Sequence, residues 1–184
     1  MAATPVEGEK IVIGSGKLYI EEYTGEIPTD EVLEVETNLA GLVSGGAEIV
    51  YKPKFYEAVD DLALKSKTIL TEEVVSLKSG LFTWCGKSLV KISATARTTE
   101  ASGKRTVKIG GLSNQDGKLY VVRFVHEDQQ DGNLRVTIVG NNQSGFSFKF
   151  AADKETILEV EFIASPMDDE GTKVIYEEDI PTTA

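Results

Sequence analysis

His126 is the chain's single histidine and Cys85 its single cysteine, so catalytic chemistry would have to be built on these two or on carboxylates. A Ser-His-Asp arrangement would need His126, which closes "YVVRFVHED" where a strand meets a polar turn. No G-x-S-x-G elbow surrounds Ser15, Ser79 or Ser144, and His126 reads as a rim or turn residue. One cysteine can neither close an intrachain disulfide nor assemble a Cys-based zinc site. With Trp84 and Leu89 beside it, Cys85 is expected to be a small buried thiol. Acids are paired at Asp60-Asp61, Glu72-Glu73 and Asp168-Asp169-Glu170, but adjacent acids on a strand face opposite ways, and turn-like sequence adjoins the first and third. "MDDEGTK" lacks the ligand spacing of a calcium loop, and "GSGK" at residues 14–17 is too short for a phosphate-binding loop. No catalytic residue, cofactor-binding residue or metal ligand is therefore assigned, and no cofactor is expected. The chain reads as a structural protein and not as an enzyme.

The elements around these residues are mostly extended. "KLYIEEY" (17–23) alternates as a strand after the turn "GSG". Residues 24–46 follow with four glycines, one proline and no basic residue. A segment that long without regular pattern points to a functional loop or arm. Residues 47–78 read as a long hairpin about the turn "AVDDLAL". On its first strand Ile49, Tyr51 and Phe55 share one parity and Val50 and Tyr56 the other, so both faces carry apolar surface. Pro53 cannot donate to a ladder and marks an edge or a bulge. A two-stranded hairpin projecting alone is marginal in water, so something must pack on this one.

In "GLFTWCGKSLVKISATAR", Leu81, Cys85, Leu89, Ile92 and Ala96 fall at helical spacing and predict one helix, weakened by Gly86. The remainder is β again: "RTVKIGG", "KLYVVRFVHED", "NLRVTIVG", "GFSFKFA" and "TILEVEFIAS". Asp116-Gly117, Asp131-Gly132-Asn133 and Asn141-Asn142 are read as the turns between them. The expected fold is mainly β: an antiparallel β-sandwich or partial barrel of eight or nine strands, with one flanking α-helix and a long projecting hairpin and loop. At 184 residues one domain is expected, ending in a C-terminal arm from about residue 171.

The formal net charge of −11 is unevenly spread. Residues 1–51 and 153–184 each carry −8, and residues 52–152 carry +5. Acidic arms of one copy meeting the basic body of another would steer head-to-tail assembly. No apolar run is long enough to cross a membrane, and "MAATPVEGEK" lacks the pattern of a secretory signal. Synthesis in a cytosol is expected.

Seven stretches in this order resemble the tail tube (major tail) proteins of long-tailed bacteriophages. They are "GSGKLYI", "NLAGLVSGGAEIVYKP", "LTEEVVSLKSGLFTW", "RTVKIGG", "VRFVHED", "LRVTIVGNNQSGFSFKFAADKET" and "VEFIASPMDDEGTKVIYEE", over roughly residues 14–178. The resemblance implies a virion protein made in the bacterial host cytoplasm, six copies forming a ring and rings stacking into a hollow tube. Its partners would be itself, the tape measure protein, the tail terminator and distal tail proteins, and double-stranded DNA in transit without specific binding. Contacts between copies are placed on the loop 24–46, the hairpin and the C-terminal "YEEDIPTTA", with Glu34, Glu36, Asn38, Tyr51, Lys52, Phe55, Tyr56 and Ile69 as interface residues. Deleting residues 26–44 is expected to leave a folded protein that no longer assembles. The alternatives are the inner tube of a contractile tail or tailocin, which shares the fold, and a carbohydrate-binding β-sandwich decoration.

Overall fold

Strand β1 (Lys17–Glu22) shows how the chain builds its barrel. Leu18 and Ile20 are buried in one apolar cluster, while Tyr19 between them is buried in a second. Successive side chains leave a strand on opposite faces, so this strand is covered on both sides. The computed structural model describes residues 12–180. Within them, β1 pairs antiparallel with β2 (Leu39–Val59) on one edge and β6 (Tyr120–His126) on the other. β2 pairs with β3 (Ser66–Leu81), β3 with β8 (Leu158–Ala164), β8 with β7 (Leu134–Asn142), and β7 returns to β6. These pairings close a six-stranded ring, and β9 (Ile175–Glu178) adds to the outer edge of β7. The expected sandwich or partial barrel is thus present, with two short helices instead of one.

Inside the ring Leu18, Ile20, Leu77, Val122, Ile138, Val160 and Phe162 form the main core. Helix α2 (Gly86–Lys91) contributes Leu89 to it, and Ile92 follows at the helix end. This helix is far shorter than its periodicity predicts. Leu81 is taken by β3, where it pairs with Leu158, and Cys85 is an extended N-cap residue. Sheet pairing overrides helical spacing there. Cys85 is exposed, contrary to the expected buried thiol.

Past α2 the chain forms a separate hairpin, β4 (Arg97–Ala101) and β5 (Lys104–Lys108). β4 begins where the stretch read as helix ends, sharing only Arg97 with it. Thr98 and Thr99 favour extended backbone, and Ser102 and Gly103 turn the hairpin with φ of 51° and 74°, as a type I′ turn requires. The stretch "GFSFKFA" joins no ladder. Its three phenylalanines nevertheless share a face: Phe148 lies 5.2 Å from Phe146 and 6.1 Å from Phe150 between ring centres, and 4.9 Å from Trp84. Asn141-Asn142 is not a turn. β7 runs through both, because the Asn142 amide is buried and donates to the carbonyls of Ile92 and Gly145.

The loop 24–46 is neither irregular nor detachable. It contains helix α1 (Asp30–Leu33), a 3₁₀ turn at Glu36–Asn38 and the first residues of β2. Leu33 is fully buried against Tyr19, Val121, Val125 and Val139, and lies on the ring's outer side. Deleting residues 26–44 would remove this cover together with β2 residues that pair with β1, so the fold should not survive it. The C-terminal arm is likewise docked: β9 pairs with β7 of the same chain. Residues 181–184 of the arm lie outside the described residues.

Candidate assembly surface

The hairpin strands are longer than expected, running through 39–59 and 66–81 around a turn at 60–65. β2 pairs with β1 only from Leu39 to Leu42, and β3 with β8 only from Ser76 to Leu81. The distal part, residues 47–59 and 66–75, is therefore a two-stranded ribbon whose outer edges pair with no further strand among the described residues. At about 3.3 Å per residue its first strand reaches roughly 40 Å from the barrel.

The base of this ribbon is a bulge. Gly45 and Gly46 are extra residues between the pairs Ser44–Gly80 and Ala47–Ser79, with φ of 79° and 76°. Only glycine adopts that backbone without strain. A second irregularity follows Pro53: Lys54 pairs with Glu72 but Phe55 with Leu70, which leaves Thr71 as the extra residue, its hydroxyl donating to the Lys54 carbonyl. Pro53 thus sits on an edge strand beside a bulge, as its missing donor requires.

Register assigns the side chains to two faces. Ile49, Tyr51, Pro53, Phe55 and Val59 lie on the face that continues from the buried Val75 and Leu77, joined across the strands by Leu70. Val50, Val74, Tyr56 and Ile69 lie on the other, together with Lys52, Lys54, Glu72 and Lys67. Phe55 and Tyr56 are each 58% exposed, and Tyr51, Ile69 and Leu70 are also exposed. The first face extends the barrel core into solvent. Cross-strand polar pairs zip the ribbon: the Tyr51 hydroxyl donates to Glu73, and Lys54 meets Glu72 at 3.3 Å. Opposite Pro53 the Lys173 ammonium donates to the Glu73 carbonyl.

Of the residues expected at the interface, Tyr51, Lys52, Phe55, Tyr56 and Ile69 come together on this ribbon. Glu36 is exposed on the flap formed by residues 24–38. Glu34 and Asn38 serve their own chain. The Asn38 amide donates to Glu21 and to the Val32 and Leu33 carbonyls, which ties down the end of α1. Glu34 lies 3.1 Å from Arg123 and 2.7 Å from Arg135. Arg123, with a side chain only 4% exposed, also meets Asp30 and Glu177 and donates to Thr137; Arg135 also meets Asp179. An arginine buried beside valines needs carboxylates to offset its desolvation. The acidic flap and β9 supply them within the chain, so part of the acidic charge expected to meet another copy is spent internally. The signal was visible in "VVRFV", where Arg123 sits between valines at a sheet-facing position.

The His126 ring nitrogen Nδ1 lies 2.8 Å from the Ser15 carbonyl, not from its hydroxyl. Among the described residues no three His, Cys, Asp or Glu side chains are arranged to hold a metal ion. An open groove of about 740 Å³ beside the Gly45–Gly46 bulge has Lys78 and Glu161 on its wall, already 3.6 Å apart. No helix among the described residues is long and apolar enough to cross a membrane. No protein family matches the chain, and no curated protein matches it.

Proposed function

We propose that this protein is a self-assembling structural subunit whose copies form rings, six to a ring as the tail-tube resemblance implies, and that the rings stack into the hollow tube of a phage tail. The observation that carries the reading is the ribbon 47–75: without a further strand on either edge among the described residues, carrying exposed apolar side chains on both faces, and attached to a barrel that leaves it in water. Eight of its side chains are large, apolar and between about one third and three fifths exposed: Ile49, Tyr51, Phe55, Tyr56, Val59, Ile69, Leu70 and Val74. Burying the exposed share of each is worth roughly 1 kcal/mol, so the ribbon offers about 6–12 kcal/mol in all. Bringing two copies together costs an estimated 4–15 kcal/mol. A single ribbon contact is therefore near balance, and a copy held on several sides at once is favoured. Rings that stack provide that arrangement, and a heterologous contact repeats without limit. Strand edges closed by neighbours also cease to template aggregation.

The tube would carry double-stranded DNA in transit without gripping it, which suits a chain of net charge −11, because each lysine or arginine held on a phosphate adds attraction. A contractile-tail inner tube, the alternative reading, would share the fold and be set apart by a surrounding sheath. The carbohydrate-binding alternative would look to Trp84, Phe146, Phe148 and Phe150. Phe148 tilts by 39° from Trp84 and by 69° from Phe146 and is near-parallel, at 12°, only to Phe150, so the four rings make no single flat platform. Negative-stain electron microscopy tests the proposal. The wild type is expected to form hollow filaments, and Phe55→Ser with Leu70→Ser, a cross-strand pair in solvent, to remain folded and dispersed. A wild type that stays monomeric at high concentration would overturn the reading.

A further inference from the structure

The β4–β5 hairpin stands outside the barrel ring, and its two faces differ in kind. Register places Thr98, Glu100, Arg105 and Val107 on one face and Arg97, Thr99, Ala101, Lys104, Thr106 and Lys108 on the other. The first face rests on α2: a Cβ at Gly86 would lie 2.7 Å from Arg105 Cδ and 2.9 Å from Val107 Cγ2. Glu100 on that face pairs with Arg105 at 2.6 Å. The outward face carries three cations and no acid. Within it Arg97 and Lys108 are directly opposite each other, a placement of like charges that destabilises a strand pair. Exposed Ile109 and Leu112 continue from the same strand end. Like charges facing each other at an exposed site, beside exposed apolar side chains, fit a surface whose anionic partner is supplied from outside.

The chain carries that partner. The flap 24–38 has no basic residue. Its Asp30 and Glu34 turn inward to Arg123 and Arg135, while Glu26, Glu31 and Glu36 stay exposed beside exposed Val32 and Val35. Three carboxylates with two valines match three cations with an isoleucine and a leucine. We infer that the outward face of the β4–β5 hairpin docks on the flap of a second copy of this chain, through Arg97, Lys104 and Lys108 against Glu26, Glu31 and Glu36. The inference rests on the self-assembly proposed above and names a contact separate from the ribbon. A nucleic acid is the less suitable partner, since the chain as a whole carries a net charge of −11 and the face has no aromatic side chain on which bases stack.

The test is a charge swap read by sedimentation velocity near physiological salt, with circular dichroism to verify folding. Lys104→Glu with Lys108→Glu is one variant, and Glu31→Lys with Glu36→Lys the other. Each exposed ion pair is worth up to a few-fold in affinity, and reversing two of them turns attraction into repulsion. Each variant alone should need about tenfold or more protein to associate. An equimolar mixture should assemble within about threefold of wild type, because alternating copies restore opposite charge at every contact. Variants that assemble like wild type would overturn this contact and leave the ribbon reading standing. Failure of the mixture to rescue would overturn it as well, as would double-stranded DNA binding by wild type that the lysine variant loses. A wild type that never associates would sink both proposals.

Discussion

Replacing Glu34 with glutamine tests whether the flap is held by the two arginines beneath it. The substitution keeps size and one acceptor but removes a charge shared by two guanidinium groups. Glu34 is 3.1 Å from Arg123 Nη1 and 2.7 Å from Arg135 Nε, and its side chain is 18% exposed. Removing one member of a buried ion pair costs about 3–5 kcal/mol when the other is left uncompensated. Here Arg123 keeps Asp30 and Glu177, Arg135 keeps Asp179, and the new amide oxygen can still accept from one of them. The loss is then one hydrogen bond to a charged group, about 1.5–3 kcal/mol. At roughly 2–4 °C per kcal/mol for a chain of this size, Tm falls by about 3–12 °C. Urea unfolding followed by circular dichroism, at a concentration where the protein is monomeric, measures it directly. Glu36→Gln, on the exposed side of the same flap, should change stability by less than about 0.5 kcal/mol. Equal effects of the two substitutions would refute the reasoning.

Two further outcomes follow from the surroundings of single residues. Cys85 is exposed; burial pushes its thiol up, but hydrogen bonds from the Ser88 and Lys87 amides and the Ser88 hydroxyl bring it below its ordinary range. It should react with a thiol reagent in the folded protein within about tenfold of its rate in urea, and full protection until unfolding would contradict its placement. The Glu161 carboxyl is held below its ordinary value of 4.5, chiefly by the Ser144 hydroxyl and further by Ser76 and Lys78. A lowered folded-state value adds stability above the unfolded value, and this is lost as pH falls through the folded one. Glu161→Gln should therefore flatten the decline of the urea midpoint below about pH 4.5, and an unchanged decline would remove the carboxylate's role.

The parts of the fold that could be read in advance are those set by local alternation. Leu18 and Ile20, Val122 and Ile138 follow period 2 and face one core, and Pro53 announced an edge with a bulge. Residues whose partners are distant in sequence were misread. Leu81, Leu89 and Ile92 share helical spacing, yet Leu81 belongs to β3 because Leu158 lies opposite it. Residues 24–38 look featureless because what orders them, Arg123 and Arg135, is about 90 or more positions away. Phe146, Phe148 and Phe150 show the reverse case: their shared face was legible, but period 2 does not say whether a strand finds a hydrogen-bonding neighbour. The ribbon residues Tyr51, Phe55, Tyr56 and Ile69 were recognisable as a group because apolar side chains on both parities need cover on both sides.

Hydrogen exchange along β2 tests that need for cover most directly. Beyond Val43 the outer edge of β2 pairs with no strand among the described residues, so in dilute monomer the outward amides between residues 47 and 59 should exchange rapidly. In concentrated, assembled protein those same amides should slow by at least about a hundredfold, while amides of β6 and β7 inside the ring stay slow in both states. Equal exchange of residues 47–59 in the two states would show that no neighbouring copy covers the ribbon, and would contradict the account.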